Sequence, residues 1–151
     1  MTTQPPASTP VEGALVYADG SALSRYLDEA PGHAAWLAWV AGREDRLVTS
    51  ALGAGELRRI AASRGRAARD TAAQVLDDID VLRVSDQSLK VAAHVMVALP
   101  SFVALQLGIA VAHPDIDTVA TYDVDLARVS ALYRLAVVSP GWPDRWWERA
   151  P

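Results

Sequence analysis

The stretch Ala14-Leu15-Val16-Tyr17-Ala18-Asp19-Gly20-Ser21-Ala22-Leu23 decides how this chain is read. A short apolar run ends abruptly at an acidic turn, and an amphipathic segment follows at once. Run, turn and segment read as strand, N-cap and helix, because an Asp before a helix accepts hydrogen bonds from the free amides of the first turn. The alternation then continues along the chain. Strands are predicted at 14–18, 46–49, 79–84, 118–122 and 135–138. Helices are predicted at 21–29, 33–41, 51–64, 66–77, 86–98, from Pro100 to about His113, and at 124–133. Strands that alternate with helices imply right-handed crossovers and a parallel sheet of about five strands covered on both faces. In such sheets ligands bind beyond the carboxyl ends of the strands, where the strand order reverses.

The chain has 151 residues, enough for one domain with its own core. Three segments are expected: a disordered Thr/Gln/Pro/Ser-rich lead over 1–12, an α/β domain over 13–141, and a Pro- and Trp-rich tail over 142–151. The lead has neither a basic region nor an apolar one and does not read as a secretory signal. The longest apolar stretch, Phe102 to Ala112, is broken by Gln106 and too short to span a bilayer, so no membrane is expected as a partner. Without cysteine there can be no disulfide or thiolate zinc site, which fits a cytoplasmic location. The net charge is −4 and the pI about 5.2. A protein that coats nucleic acid is usually basic, so this balance favours a focused site over a broad phosphate-binding face.

Asp19 and Asp123 each follow a predicted strand, and Asp125 lies two residues further on. Either Asp is explained as an N-cap, yet a cap at a strand's carboxyl end also points into the crevice. Glu56 is read differently. At 3.6 residues per turn, Leu52, Glu56 and Ile60 stack on one face, which puts a carboxylate within the apolar arc of its helix. The alternative for Glu56 is a surface pair with Arg59 at i,i+3. Carboxylates brought together raise one another's pKa unless a cation joins them. A hard divalent ion such as Mg²⁺ suits oxygen ligands, and it can activate water against a phosphodiester. The three histidines, His33, His94 and His113, lack metal-ligand spacing, and no Walker A, G-x-S-x-G or G-x-G-x-x-G motif is present.

Five short segments, in order, resemble the PIN-domain family, and within it the VapC-type toxins of bacterial toxin–antitoxin pairs. They are Tyr17 to Leu23; Val48-Thr49-Ser50-Ala51 through Glu56; Leu99 to Ala110; Thr121-Tyr122-Asp123 through Leu126-Ala127; and Val137-Val138-Ser139-Pro140-Gly141. The resemblance covers about residues 14 to 141. It implies a three-layer α/β/α fold, Mg²⁺- or Mn²⁺-dependent endoribonuclease chemistry, and inhibition by a small VapB-like antitoxin. By position it makes Asp19 and Asp123 metal ligands, with Glu56 holding the metal and its water. Asp125 becomes a possible further ligand, and Ser21 and Thr121 become hydroxyls that orient the carboxylates. One element departs from the pattern. The helix resembling 99–110 usually carries an Asp near its start and a His three residues later; this chain has Val103 and Gln106. Valine offers a cation no lone pair, so the alternative is a PIN-fold module that binds an antitoxin or RNA without cutting. A DNA-directed nuclease would use the same metal chemistry.

Arg58, Arg59, Arg64, Arg66 and Arg69 form a basic run just beyond Glu56. Arg58, Arg59 and Arg64 are candidates for holding RNA phosphates, against the alternative of a solvated helix face. Trp142, Trp146 and Trp147 are expected to fold back on the body or to clamp a second subunit. Trp36 and Trp39 are assigned to the core or that interface, and a two-fold homodimer is the expected assembly.

Overall fold

The computed structural model describes residues 14–151; the expectation for residues 1–12 lies outside them. The strands are β1 (Leu15–Ala18), β2 (Leu47–Ser50), β3 (Asp80–Leu82), β4 (Ile116–Ala120) and β5 (Ala136–Val138). The helices are α1 (Gly20–Leu23), α2 (His33–Val40), α3 (Ala51–Ala62), α4 (Arg66–Asp78), α5 (Asp86–Val95), α6 (Ser101–Ala112) and α7 (Val124–Leu132). All strand pairings are parallel, and the order across the sheet is β3-β2-β1-β4-β5. The expected three-layer α/β/α domain with a five-stranded parallel sheet is the fold of this chain.

Alternation along the strands builds the two outer layers. Val16 and Ala18 of β1 and Leu47 of β2 face a cluster that takes in Leu23, Trp36, Ala54, Leu57 and Leu76 from α1 to α4. Tyr17, Val48 and Val119 point the other way, onto Val103, Leu107 and Ala110 of α6 and Leu126 and Val129 of α7. A strand buried on both faces cannot carry a polar period, which is why β1 reads as a continuous apolar run. Trp36 takes the core position expected of it, with Trp39 packed beside it at 5.4 Å between ring centroids.

The strand order sets the place of the site. The chain moves outward from β1 to β2 and β3, then returns through α5 and α6 to lay β4 on the other side of β1. The reversal leaves a crevice at the carboxyl ends of β1 and β4, and the Asp19 amide bonds the Ala120 carbonyl there at 3.3 Å. Two expected boundaries move. β4 begins and ends two residues early, because its ladder runs from Leu15↔Ile116 to Ala18↔Ala120. Thr121, Tyr122 and Asp123 are therefore free to form the turn. The helix expected at 21–29 stops at Leu23 and continues only as a 3-10 turn over Ser24–Tyr26, before Leu27 becomes extended.

Close approach of backbones fixes the outer layers. A Cβ added to Gly108 in α6 would lie 2.2 Å from the Ser88 carbonyl oxygen, so α5 and α6 meet main chain to main chain. Overpacking of such a contact costs about 1–3 kcal/mol. Gly108→Ala should therefore lower the unfolding free energy by roughly that amount, read from denaturant midpoints. An unchanged midpoint would contradict this packing.

Candidate active site

Asp19 is the N-cap of α1 and is 2% exposed. Its Oδ1 accepts hydrogen bonds from the Ser21 hydroxyl at 2.7 Å and the Ala22 amide at 2.9 Å. Its Oδ2 accepts from the Thr121 hydroxyl at 2.7 Å. Ser21 also accepts the Tyr122 amide at 2.8 Å, and Thr121 accepts the Asp123 amide at 3.0 Å. Two hydroxyls thus tie the turn after β1 to the turn after β4, with the Asp19 carboxylate between them. These are Ser21 and Thr121, the two hydroxyls expected to orient the carboxylates.

Burial pushes the Asp19 carboxyl up to about 6, against the lowering effect of Thr121, Ser21 and the Ala22 amide, with Glu56 adding a smaller upward push. Three donors reduce the cost of a buried charge and do not cancel it. Glu56, half-buried on α3, also has its carboxyl raised; burial is the main cause, Arg59 opposes it and Asp123 adds to it. Glu56 thus adds its charge to the surroundings of Asp19, and Asp123 adds its charge to those of Glu56. Asp123 caps α7, its Oδ1 accepting the Leu126 amide at 2.9 Å.

Glycine brings Glu56 to the crevice. A Cβ on Gly20 would lie 2.4 Å from the Glu56 Cβ, and one on Gly53 would lie 2.2 Å from the Thr49 hydroxyl oxygen. That hydroxyl in turn donates to the Ala18 carbonyl at 2.7 Å. With no side chain at either position, α3 lies directly against the end of β1. The buried arc of α3 is Gly53, Ala54, Leu57 and Ala61, while Leu52, Glu56 and Ile60 are half-buried. Glu56 thus sits on the shoulder of the apolar arc and not within it, because the small residues one position along make the closer contact.

The remaining expected residues divide. Asp125 lies in the first turn of α7, and no hydrogen bond among the described residues joins it to the other carboxylates. Arg59 lines a cleft of about 510 Å³ with Glu56, Leu52 and Phe102, which places its cation beside the Glu56 carboxylate. Arg64 lines a different cleft, of about 490 Å³, with Asp28 and Glu29. Arg58 is exposed on α3. Val103 is buried among Tyr17, Leu107 and Val119. Gln106 accepts a hydrogen bond from the Tyr17 hydroxyl at 2.9 Å, and Ser50 lies 2.8 Å from the same hydroxyl. Burial raises the Tyr17 phenol well above its ordinary range, so it remains a neutral donor.

Sequence reasoning gave no role to this Tyr17–Ser50–Gln106 network or to the Arg25 guanidinium, 3.9 Å from the centroid of the Tyr122 ring. A tyrosine in an apolar strand and a glutamine in an apolar helix are each a buried polar group in need of a partner. That need was the available signal.

Hard oxygen donors suit Mg²⁺ or Mn²⁺ and do not suit zinc. Among the described residues no three Asp, Glu or His side chains form a ready metal cluster. The residues present fit a cation held in another way. Mg²⁺ is commonly held by one or two carboxylates together with substrate phosphates and keeps several waters. Thr121 links the two candidates for that role, donating its hydroxyl proton to Asp19 and accepting the Asp123 amide.

Carboxylates from the turns after β1 and β4 thus meet at the topological switch point of a parallel α/β/α domain. The PIN domain family matches residues 16–132, most of the chain, and this protein belongs to that family. PIN domains typically use divalent metal ions and generally bind RNA. No curated protein and no solved structure matches the chain.

The raised Asp19 carboxyl has a consequence for stability. The folded state holds this proton more tightly than the unfolded chain, whose ordinary value is 3.8. The resulting penalty on folding is full above about pH 6 and fades as pH falls toward 4. Asp19→Asn keeps the acceptor for Ser21 and Ala22, and Thr121 can reverse its role. The variant should be more stable than the native chain at pH 7.5, by up to about 3 kcal/mol, with the gap closing by pH 4. Denaturant unfolding at the two pH values measures it, and a gap that does not change with pH would contradict the assignment.

Proposed function

We propose that this chain is a VapC-like PIN-domain endoribonuclease that cuts single-stranded or looped RNA by attack of water on a phosphodiester. The observation that carries this reading is the buried Asp19 carboxylate, tied through Thr121 to the turn that carries Asp123 and raised in part by the nearby Glu56. Asp19 and Asp123 would hold Mg²⁺ or Mn²⁺ on the side of the crevice where the RNA phosphate enters. The bound cation supplies a water of lowered pKa and offsets the charge that builds on the phosphate. Ser21 and Thr121 hold both oxygens of Asp19 in a fixed orientation. Glu56, half-exposed and with its carboxyl raised by burial, accepts the proton of the attacking water. Arg59 lies beside Glu56 and steadies a flanking phosphate. Asp125, Arg58 and Arg64 stay outside this arrangement and serve as secondary contacts to a longer RNA. An assembly of two copies, and inhibition by a small VapB-like antitoxin in a cytoplasmic setting, complete the reading. For the described residues, no helix is long and apolar enough to cross a membrane.

A second reading has its own observation. Val103 is buried in apolar contacts, at the position where the resemblance calls for a carboxylate. On that reading the chain is a PIN-fold module that binds RNA or an antitoxin without cutting. The native chain and the Val103→Asp and Asp19→Asn variants, each incubated with a fluorogenic RNA in Mn²⁺ or in chelator, separate the two. Endoribonuclease action requires Mn²⁺-dependent cutting by the native chain that falls at least about 100-fold in Asp19→Asn. Cutting only by Val103→Asp would transfer the conclusion to the binding module. Equal cutting in chelator would overturn the metal-dependent reading.

A further inference from the structure

Close contacts account for the glycines of the helical layers, with one exception. Gly20, Gly53 and Gly108 each lie where a Cβ would meet another residue at 2.4 Å or less. Gly55, inside α3, is exposed, and a Cβ there would meet no neighbouring residue within 4 Å. Its backbone is ordinary helix, so no left-handed turn requires it. Apart from proline, glycine is the least favourable residue for a helix interior, and folding alone would favour alanine here. What Gly55 makes room for lies outside the chain.

The open space is the cleft of about 510 Å³ lined by Ala51, Leu52, Gly55, Glu56, Arg59 and Phe102. Phe102, in the first turn of α6, is 41% exposed and has no ring partner among the described residues. The tryptophans of the C-terminal tail, by contrast, are engaged with the domain. Trp142 packs against Tyr122, the Trp146 indole N–H donates to the Ser139 hydroxyl, and Trp147 is buried. Arg59 is likewise uncommitted. Among the described residues no hydrogen bond or ion pair takes up its guanidinium, and its charge acts on the Glu56 carboxylate through space.

A bare helix surface, an aromatic face and a free cation thus line one cleft. A flat, uncharged ring that carries an anion matches all of them. An apolar side chain would leave Arg59 without a partner, and an acidic one would leave the ring and the bare helix uncovered. Unpaired bases stack on aromatic side chains whatever their sequence, and a guanidinium suits the phosphate that travels with them. Glu56 fixes the position along the strand. It lines this cleft and, in the proposed chemistry, takes the proton of the attacking water, so a group in the cleft adjoins the reacting phosphate.

We propose that the cleft between α3 and α6 is a subsite for one unpaired nucleotide beside the cut, its base stacked on Phe102 over Gly55 and its phosphate against Arg59. This rests on the reading of the chain as an RNA-acting nuclease. It adds the requirement that the nucleotide flanking the cut be unpaired, since a base within a duplex has no free face to offer.

The test is binding of a short fluorescein-labelled, hydrolysis-resistant single-stranded RNA to the full chain, read by anisotropy in Mn²⁺ and in chelator. Gly55→Leu fills the cleft where the fold itself meets nothing. It should raise the denaturant midpoint, because leucine is the better helix former, and weaken RNA binding about ten-fold. Misfolding cannot produce a gain in stability together with that loss. Phe102→Ala should weaken binding about ten-fold, while Phe102→Tyr, which keeps a ring, stays within about three-fold of native. These effects should appear in both solutions, because a base stack needs no metal. The native chain should bind an RNA bearing abasic residues about ten-fold more weakly. On that RNA Gly55→Leu should cost less than about two-fold, because the group it displaces is already absent. Equal binding of intact RNA by native and Gly55→Leu chains overturns the proposal. So does an equal loss on intact and abasic RNA, or no binding by the native chain in either solution. A Gly55→Leu chain that binds RNA as before but no longer self-associates would make the cleft a contact between copies, and overturns it too. The nuclease reading fails separately. A chain that binds through Gly55 and Phe102 yet never cuts a cleavable RNA in Mn²⁺ keeps the subsite, and one that cuts with no dependence on them loses it.

Discussion

A single buried carboxylate organises this molecule. Asp19 sits at the carboxyl end of β1, almost wholly out of water, held by one amide and two hydroxyls. Its donors come from both sides of the topological switch, Ser21 and Ala22 after β1 and Thr121 after β4. The Ser21 and Thr121 hydroxyls also accept the amides of Tyr122 and Asp123, which ties the two turns together. A buried ion held by neutral dipoles is costly compared with one paired to a cation. The cost is visible in the raised carboxyl. A divalent ion arriving with a phosphate would relieve it.

The rest of the fold serves this placement. Gly20 and Gly53 remove the side chains that would hold α3 away, and so bring Glu56 over the end of β1. Small residues on α3 and α6 let the helical layers close on both faces of the sheet. The C-terminal rings brace the second turn from outside, through Ser139 and Pro140. Where the resemblance calls for a further carboxylate, Val103 is instead part of an apolar wall with Tyr17 and Leu107.

Much of this was legible in the sequence. The fold followed from the alternation of apolar runs with amphipathic segments, since a strand covered on both faces has no polar period to hide it. Asp19 and Asp123 were singled out because each follows a strand, and the turns after β1 and β4 do lie together at the switch point. Ser21 and Thr121 were singled out through the resemblance. The limits were local and physical. Glu56 lies a step away from the centre of its apolar arc, because glycine and alanine, weak signals in any hydrophobicity pattern, make the closest contact. The end of β4 is set by its ladder with β1, which apolarity alone does not mark. The basic run looked like one surface, yet Arg59 and Arg64 line separate clefts, because the turn after α3 divides them. The Tyr17–Gln106 bond joins residues 89 apart in the chain and has no local signature.

The central claim is that Asp19 and Asp123 await a divalent ion brought in with RNA. Titration of Mn²⁺ followed by the electron paramagnetic resonance of the free ion tests it most directly, on native and Asp19→Asn chains, with and without a hydrolysis-resistant single-stranded RNA. The account expects saturable binding of Mn²⁺ by the native chain that tightens when RNA is present and is lost in Asp19→Asn. Binding that is absent with RNA, or the same in both chains, would contradict it.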